Sequence, residues 1–173
     1  MVSKKKEINF IESYTCDLDF SFLEKSHKYL VEGVVKTHFG KEVDKSVKSC
    51  KEYGINPESP LIVPYRNHLQ ECLNDYIKKY DHLNKHPHFN VYDVINYQRY
   101  DKGEGYYDWH FENFDCGRVI VFMTYLTDTP NAGTEFIYQN IKTECVKGTT
   151  LLWPAYWTHT HRSIISKKHK KEI

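Results

Sequence analysis

The feature that most constrains the fold of this chain is the residue pattern of its C-terminal half, where short runs rich in β-forming residues alternate with turn residues. The runs are separated by the segments DKGEG, TDTPNAG, QN and KG. Short strands with such frequent turn signals are typical of antiparallel sheets that close into a sandwich or barrel. The pattern therefore predicts a mainly β core over about residues 89–173. The predicted strands lie within FNVYDVINYQRY, RVIVFMTYL, TEFIY, IKTECV and TTLLW.

The N-terminal half, to about residue 88, shows a helical periodicity instead. Apolar residues in segments 20–39 and 66–83 recur at the intervals of three and four that amphipathic helices require. The connection GINPESPLIVP contains three prolines and is expected to be irregular. We therefore predict helical support over about 1–88, packed against the outside of the β core. The apolar stripe of the second segment consists of Leu69, Leu73, Tyr76, Ile77 and Tyr80.

Length and charge narrow the class of protein. A chain of 173 residues is long enough for one domain with a buried core and short for two, which predicts a single domain over 1–173. Its 24 Lys and Arg residues nearly balance 23 Asp and Glu residues. The overall charge therefore favours neither nucleic acid nor a membrane surface as a partner.

The cysteines and the N-terminus indicate the compartment. The chain has five cysteines, widely spread and without a CxxC pair, which favours reduced thiols over a disulfide framework or a zinc ribbon. The basic N-terminus MVSKKKEINF leads into no apolar region, and no run of about 18 apolar residues follows. These features predict a soluble, cytoplasmic protein. The cysteines are Cys16, Cys50, Cys72, Cys116 and Cys145.

The stretch YYDWHFENF, residues 106–114, places a histidine and a glutamate two residues apart among aromatic side chains. Side chains two apart project from one face of an extended strand, so His110 and Glu112 converge while Trp109 and Phe111 face the other side. One interpretation is a buried pair in which the two polar side chains satisfy each other. The other is part of a metal site.

A second pair with the same spacing, His159 and His161, lies in LLWPAYWTHTHRS near the C-terminus. One of these histidines, together with His110 and Glu112, would complete a set of two imidazoles and one carboxylate. That set is the facial triad of non-haem Fe(II) sites, which leaves three coordination positions for a bidentate anion and O2. Zinc is usually bound by four ligands, and copper prefers a site with more histidine or sulfur ligands. The donor set therefore favours iron.

Four motifs, in order along the chain, resemble those of the 2-oxoglutarate- and Fe(II)-dependent dioxygenases of the prolyl 4-hydroxylase type, particularly the small microbial and viral members. They are YDKGEGYYDWHFEN, RVIVFMTYLTD, AGTEF and KGTTLLWPAYWTHTHR. The resemblance runs from about residue 92 to the C-terminus. It implies a double-stranded β-helix, or jelly-roll, core with supporting helices. Matched to the family pattern, His110 and Glu112 are the first two iron ligands.

The third ligand of this family lies about ten residues before a basic residue that pairs with the distal carboxylate of 2-oxoglutarate. His161 stands ten residues before Lys171, whereas His159 stands ten before His169. The resemblance therefore favours His161 as the third ligand and Lys171 as the anchor of the cosubstrate. His159 remains the alternative, and otherwise lies beside the metal or at the surface.

Other side chains fall where the resemblance implies contact with the cosubstrate or the surroundings of the metal. Tyr100 and Tyr125 stand where family members tend to place cosubstrate-binding tyrosines, and a phenol donates readily to a carboxylate. Arg118 is either a substrate or cosubstrate contact or a structural ion pair. The remaining candidates for the substrate pocket or the surroundings of the metal are Trp109, His159 and Arg162.

The resemblance implies an enzyme that uses Fe(II), 2-oxoglutarate and O2, with ascorbate as a further candidate cofactor. The implied reaction hydroxylates a C–H bond and releases succinate and CO2. A prolyl residue of a peptide or protein is the implied substrate, although another protein site or a small molecule stays open. One alternative is a non-catalytic jelly-roll that binds a metal or small ligand, which Lys171 disfavours. Another is an oxygenase of nucleic-acid bases, which the balanced charge disfavours.

Two features depart from the family pattern. Aspartate is more usual where this chain has Glu112, and the longer arm still reaches a metal with a shift of one methylene. The family usually continues into a further strand after the basic residue, whereas this sequence ends at Ile173. We therefore expect the last strand either to be very short or to continue beyond this stretch of sequence.

Overall fold

The computed structural model describes residues 8–37, 40–86, 88–91, 94–113 and 117–173. Within these ranges the chain is mainly β, and the strands pair in antiparallel fashion. The strands are β1 (Glu12–Thr15), β2 (Val31–Glu32), β3 (Val35–Thr37), β4 (Gly40–Glu42), β5 (Lys48–Ser49), β6 (Lys51–Ile55), β7 (Ile95–Tyr100), β8 (Gly105–Tyr106), β9 (Ile120–Thr124), β10 (Thr134–Phe136), β11 (Ile141–Lys142), β12 (Thr149–Pro154), β13 (His161–Ser163) and β14 (Lys171–Glu172).

One α-helix, α1 (Val63–Lys79), lies among the described residues and confirms most of the helix predicted over 66–83. Its buried side chains recur at intervals of four, three and four residues, so the helix turns one face to the sheets. No described helix has both the length and the apolarity to cross a membrane. The buried residues are Tyr65, Leu69, Cys72 and Tyr76. The 3-10 segments are Ser21–Tyr29, Pro60–Ile62, Asp81–Lys85 and Trp157–His159.

The helix predicted over residues 20–39 is wrong. The segment forms a 3-10 helix followed by β2 and β3, and the two residues before β4 lie outside the described part. Val34 and Val35 are β-branched and lose side-chain freedom in a helix. Gly33 lies so close to Cys50 that a Cβ there would come within 2.3 Å of its sulfur. Pairing with a neighbouring strand therefore overrides the apolar spacing that suggested a helix.

The two halves of the chain share their sheets. The described strands form the orders β1-β12-β9, β11-β10-β13 and β14-β7-β6-β2, together with the pairs β3-β4 and β5-β8. The strands predicted from the C-terminal runs are confirmed as β7, β9, β10, β11 and β12. The expected division into helical support over 1–88 and a β core over 89–173 is corrected, because β1, β5 and β6 pair with strands of the second half.

Strand β12 lies in the centre of its sheet and is buried along most of its length. Leu152 lies opposite Phe122 of β9 on one side and opposite Glu12 of β1 on the other. The ring of Trp153 stands edge-on to Phe136, with 5.4 Å between the ring centroids. Strand β12 therefore contributes side chains both to the interior of the sheet and to the surroundings of the predicted metal site.

The described cysteines are buried and carry free thiols. Three of them, Cys16, Cys72 and Cys145, pack as small side chains in the hydrophobic clusters of the core. Cys116 lies outside the described residues. The four described cysteines are Cys16, Cys50, Cys72 and Cys145.

Leu152→Ala is expected to lower the free energy of unfolding by about 2 to 5 kcal/mol, because it leaves a cavity in the packed centre of β12. The side chain is 2% exposed. The matched control is Leu61→Ala, at a leucine that is 65% exposed, which should cost less than about 0.5 kcal/mol. Chemical denaturation of both variants measures the difference, and equal losses would contradict the assignment of the core.

Candidate metal centre

His110 and His161 face each other across an isolated antiparallel bridge. The backbone N–H of His110 donates to the carbonyl of His161 at 3.0 Å, and the reverse bond measures 2.9 Å. Residues that exchange both backbone hydrogen bonds project their side chains from the same face. Their ring centroids are accordingly 4.3 Å apart. The backbone N–H of Glu112 is fixed by the Ala155 carbonyl at 3.0 Å, which holds the third side chain beside this pair.

The three side chains bring one donor atom each to a common point. Glu112 Oε1 lies 3.6 Å from His110 Nε2 and 4.0 Å from His161 Nε2. All three donor atoms lie within 4.8 Å of one another, a spacing that could hold a single metal ion. Two imidazole nitrogens and one carboxylate oxygen form the donor set that suits non-haem Fe(II).

Backbone carbonyls determine which nitrogen of each imidazole faces this point. His110 Nδ1 lies 3.1 Å from the Asp108 carbonyl, and His161 Nδ1 lies 2.9 Å from the His159 carbonyl. A carbonyl only accepts, so each Nδ1 carries a proton, and in the neutral ring the lone pair is then on Nε2. Unprotonated Nε2 atoms are what a metal ion requires, so the residues present fit a divalent cation.

Arg118 binds the second oxygen of Glu112. Its Nη1 donates to Oε2 at 2.5 Å, which leaves Oε1 facing the histidines. Burial alone would raise the pKa of Glu112, but the neighbouring imidazoles and the guanidinium outweigh it and lower that pKa to about 2. The structure therefore shows Arg118 in an ion pair with Glu112, while its contact with a substrate or cosubstrate stays a prediction.

Aromatic rings surround the two histidines. Tyr106 stacks on His110 with 3.5 Å between the ring centroids, a contact that sequence reasoning missed. The available signal was its even spacing from His110, which places both on one face of an extended segment. On the other side, Phe136 and Trp153 enclose His161, with centroid distances of 5.5 and 5.1 Å. Burial lowers the pKa of His161 to about 4, which keeps the ring neutral.

His159 does not join the group of donor atoms. Its Nε2 lies 2.9 Å from the Asn9 carbonyl and its Nδ1 lies 3.0 Å from the Thr158 hydroxyl, so both ring nitrogens are engaged elsewhere. The side chain is buried, and its backbone carbonyl orients His161. The geometry therefore favours His161 over His159 as the third donor.

Trp109 and Arg162 lie together at the edge of the cavity that the donor atoms border. The guanidinium carbon of Arg162 lies 4.2 Å from the centre of the Trp109 ring. Arg162 also pairs with Glu135, with 3.0 Å between Nη2 and Oε2. This stacked cation forms part of the wall rather than of the metal centre.

The cavity has a volume of about 1040 Å³ and reaches Lys171. Lys171 is 4% exposed and lies opposite Tyr100 in the β14–β7 pair, with Nζ 4.8 Å from the centre of that ring. Its ammonium donates to the Ser163 hydroxyl at 3.3 Å. No carboxylate side chain of the described ranges pairs with it, and burial lowers its pKa to about 8. A buried ammonium in this state is suited to bind an anion.

The two tyrosines expected at the cosubstrate differ in position. Tyr100 borders the cavity, and its hydroxyl donates to Gln98 Oε1 at 2.6 Å. Tyr125 is fully buried, and its hydroxyl bonds to Thr134 and Thr143 at 2.9 and 2.8 Å. Tyr125 is not among the residues that border the cavity. This placement argues against its predicted contact with the cosubstrate. Its hydroxyl instead connects Thr134 of β10 to Thr143 through hydrogen bonds.

Comparison with known proteins supports the architecture. No protein-family model matches the chain, and no curated protein matches its sequence. A viral collagen prolyl hydroxylase of Paramecium bursaria Chlorella virus-1, in complex with 2-oxoglutarate, has a TM-score of 0.66 at 17% identity, over 94% of this chain and 92% of that one. A prolyl 4-hydroxylase of Pseudomonas putida has a TM-score of 0.68 at 14% identity, over 94% and 89% of the two chains.

A third solved structure of the same kind contains a bound peptide. It is a prolyl hydroxylase of Trichoplax adhaerens in complex with a peptide fragment of the oxygen degradation domain of hypoxia inducible factor. It has a TM-score of 0.68 at 14% identity and covers 95% of this chain and 80% of that one. The predicted resemblance to prolyl 4-hydroxylases is therefore confirmed at the level of the fold, and it extends over both halves of the chain.

Lys171 should make stability depend on pH. Because its folded pKa of about 8 lies below its ordinary value of 10.5, the unfolded chain holds more protons between these values, and stability rises with pH. The free energy of unfolding should increase by about 2 kcal/mol between pH 7.5 and 9.5. Chemical denaturation across this range tests it. Lys171→Met should flatten the rise and the exposed Lys170→Met should preserve it; the same slope in all three proteins would contradict the burial of the ammonium.

Proposed function

We propose that this chain is a non-haem Fe(II)- and 2-oxoglutarate-dependent dioxygenase that hydroxylates a C–H bond. His110, Glu112 and His161 would hold the metal ion. The observation that carries the proposal is the convergence of two imidazole nitrogens and one carboxylate oxygen in the same cavity as the buried Lys171. A site that only bound a metal would have no need of a buried ammonium beside it.

The frame of the site is proposed to be a double-stranded β-helix, with residues 1–173 forming one domain. Two observations support this architecture. The sheets are antiparallel and take strands from both halves of the chain. The fold is shared with prolyl hydroxylases over more than nine tenths of this chain.

When bound, Fe(II) would supply, with 2-oxoglutarate and O2, the oxidising chemistry that converts C–H to C–OH and the cosubstrate to succinate and CO2. The chain prepares the site for this. Glu112 presents a single oxygen, because Arg118 occupies the other. The Nδ1 atoms of His110 and His161 bond to carbonyls, so each ring already turns its Nε2 toward the point where a cation would bind.

Lys171 is assigned to the distal carboxylate of 2-oxoglutarate. Its ammonium is held between the Tyr100 ring and the Ser163 hydroxyl, so little side-chain freedom remains to be lost on binding. A charge-assisted hydrogen bond to a carboxylate is strong in a site from which water is largely excluded. Binding of the anion would also restore the charged form that burial disfavours.

The substrate is proposed to be a prolyl residue in a peptide or protein. The cavity of about 1040 Å³ is at the upper end of the range for small-molecule sites, which leaves room beside a cosubstrate for part of a second molecule. The viral neighbour is named a collagen prolyl hydroxylase and the Trichoplax neighbour binds a peptide. A proline-containing peptide is therefore the first substrate to test.

Turnover is tested by incubating the purified protein with Fe(II), 2-oxoglutarate, O2 and proline-containing peptides, and by measuring succinate together with hydroxylated peptide. Succinate that rises with one peptide and matches its hydroxylation supports the proposal. Peptide hydroxylation should vanish in Glu112→Ala, which lacks the only carboxylate of the triad. Metal binding without any 2-oxoglutarate consumption would instead favour the non-catalytic binding module.

Replacing His110, Glu112 or His161 by alanine should weaken divalent metal binding by at least about a hundredfold, because each change removes one of three protein donors. His159→Ala should retain metal affinity within about threefold, since its side chain bonds elsewhere and its orienting carbonyl remains. Calorimetric titration under anaerobic conditions measures all four variants. Loss of binding in His159→Ala with retention in His161→Ala would reverse the assignment of the third donor.

Lys171→Ala should raise the KM for 2-oxoglutarate by about one to two orders of magnitude and leave metal affinity nearly unchanged. The loss corresponds to a hydrogen bond between charged groups of about 1.5 to 3 kcal/mol. Lys171→Arg should recover part of it, because a guanidinium also pairs with a carboxylate. The exposed neighbours Lys168 and Lys170 provide alanine controls that should change little; a large effect at either one, with none at Lys171, would show that the anchor is misassigned.

A further inference from the structure

We propose that Ser163 is a second hydrogen-bond donor to the carboxylate that Lys171 binds, and that the Tyr100 hydroxyl is not a donor to it. This inference rests on the proposed function, because it takes 2-oxoglutarate as the ligand of the cavity. Sequence reasoning assigned no role to Ser163 and expected Tyr100 to donate. Both conclusions follow from the hydrogen-bond donors and acceptors around Lys171.

The Ser163 hydroxyl has two lone pairs and one proton to share. Both lone pairs are occupied: the backbone N–H of Tyr106 donates to Oγ at 3.1 Å, and the ammonium of Lys171 donates to it at 3.3 Å. No hydrogen bond from the Ser163 proton to an acceptor is formed within the described part of the chain. Because Ser163 and Lys171 border the same cavity, the proton is available to an acceptor placed there.

Glu52 determines the direction of the Tyr100 hydroxyl through Gln98. Glu52 Oε2 accepts from Lys48 Nζ at 2.7 Å and from Gln98 Nε2 at 3.4 Å, while Oε1 accepts from the Val34 N–H at 3.1 Å. An ionised carboxylate accepts only, so the NH₂ group of Gln98 must face it. The amide oxygen of Gln98 then faces Tyr100 and accepts its proton at 2.6 Å.

The polarity of this chain of hydrogen bonds therefore commits the only proton of Tyr100 to Gln98 and not to a ligand beside Lys171. Tyr100 offers its ring face to the ammonium of Lys171 and a lone pair to the cavity, neither of which attracts a carboxylate. Lys171 and Ser163 remain as the donors. The subsite is thus built from the ammonium of Lys171 on β14 and the hydroxyl of Ser163 on β13. Glu52 and Gln98 act as positioning residues that hold the Tyr100 proton in another hydrogen bond.

The test compares two ligands on the unaltered protein and three variants. 2-Oxoglutarate and 2-oxopentanoate share the keto-acid end, but only the first has a distal carboxylate. Calorimetric titration of the Mn(II)-loaded protein without O2 measures the dissociation constant of each without turnover. Ser163→Ala should weaken 2-oxoglutarate about tenfold, the loss expected for a hydrogen bond to a charged group, and leave 2-oxopentanoate within about twofold. Tyr100→Phe should change neither by more than about threefold.

Ser166→Ala is the matched control, because it removes a buried serine hydroxyl from the same segment at a position that does not border the cavity. It should leave both dissociation constants unchanged. Equal weakening of both ligands by Ser163→Ala would show a merely structural role and overturn the proposal, as would a tenfold loss of 2-oxoglutarate in Tyr100→Phe. If the unaltered protein bound the two ligands equally, the proposed cosubstrate anchor itself would fail, which is a distinct result.

Discussion

The antiparallel bridge between His110 and His161 is the constraint on which the site depends. The two residues lie far apart in sequence, and a pair of reciprocal backbone hydrogen bonds places their imidazoles on one face. Backbone carbonyls then fix both rings through Nδ1. Because these bonds belong to the sheet and its extensions, the donor geometry is set by the fold before any metal binds. Such preorganisation lowers the cost of assembling a site.

The cavity contains two charged sites, one at Glu112 and one at Lys171. The carboxylate of Glu112 pairs with Arg118 through Oε2 and turns Oε1 toward His110 and His161, so the metal centre offers one anionic oxygen to a cation. Lys171 has no carboxylate partner among the described residues, so its part of the cavity keeps one positive charge for an anion. A divalent metal ion would bring two positive charges to the first site and a dicarboxylate would bring two negative charges that reach the second, so the added charges would cancel. The two assignments therefore support each other.

The sequence predicted which side chains form the candidate metal site better than it predicted the contacts around them. Period-two spacing placed His110 and Glu112 on one face, and the strands of the second half followed from their turn-bounded runs. The helix predicted over residues 20–39 was wrong because the apolar spacing of the segment suited a helix. Pairing with other strands is not visible in the local sequence pattern. The contact of Phe136 with His161 and the hydrogen bond from the Tyr106 N–H to Ser163 depend on segments that lie far apart in the sequence. Such contacts leave no periodic signal in the sequence.

The central claim is that one cavity holds Fe(II) and 2-oxoglutarate together, and an anaerobic absorption titration tests it most directly. Fe(II) is added to the protein first and 2-oxoglutarate second, while the visible spectrum is recorded. We predict a metal-to-ligand charge-transfer band that appears only when both are present, saturates at one equivalent of each and is absent in His161→Ala. A protein that binds Fe(II) but develops no such band at saturating 2-oxoglutarate would contradict the account.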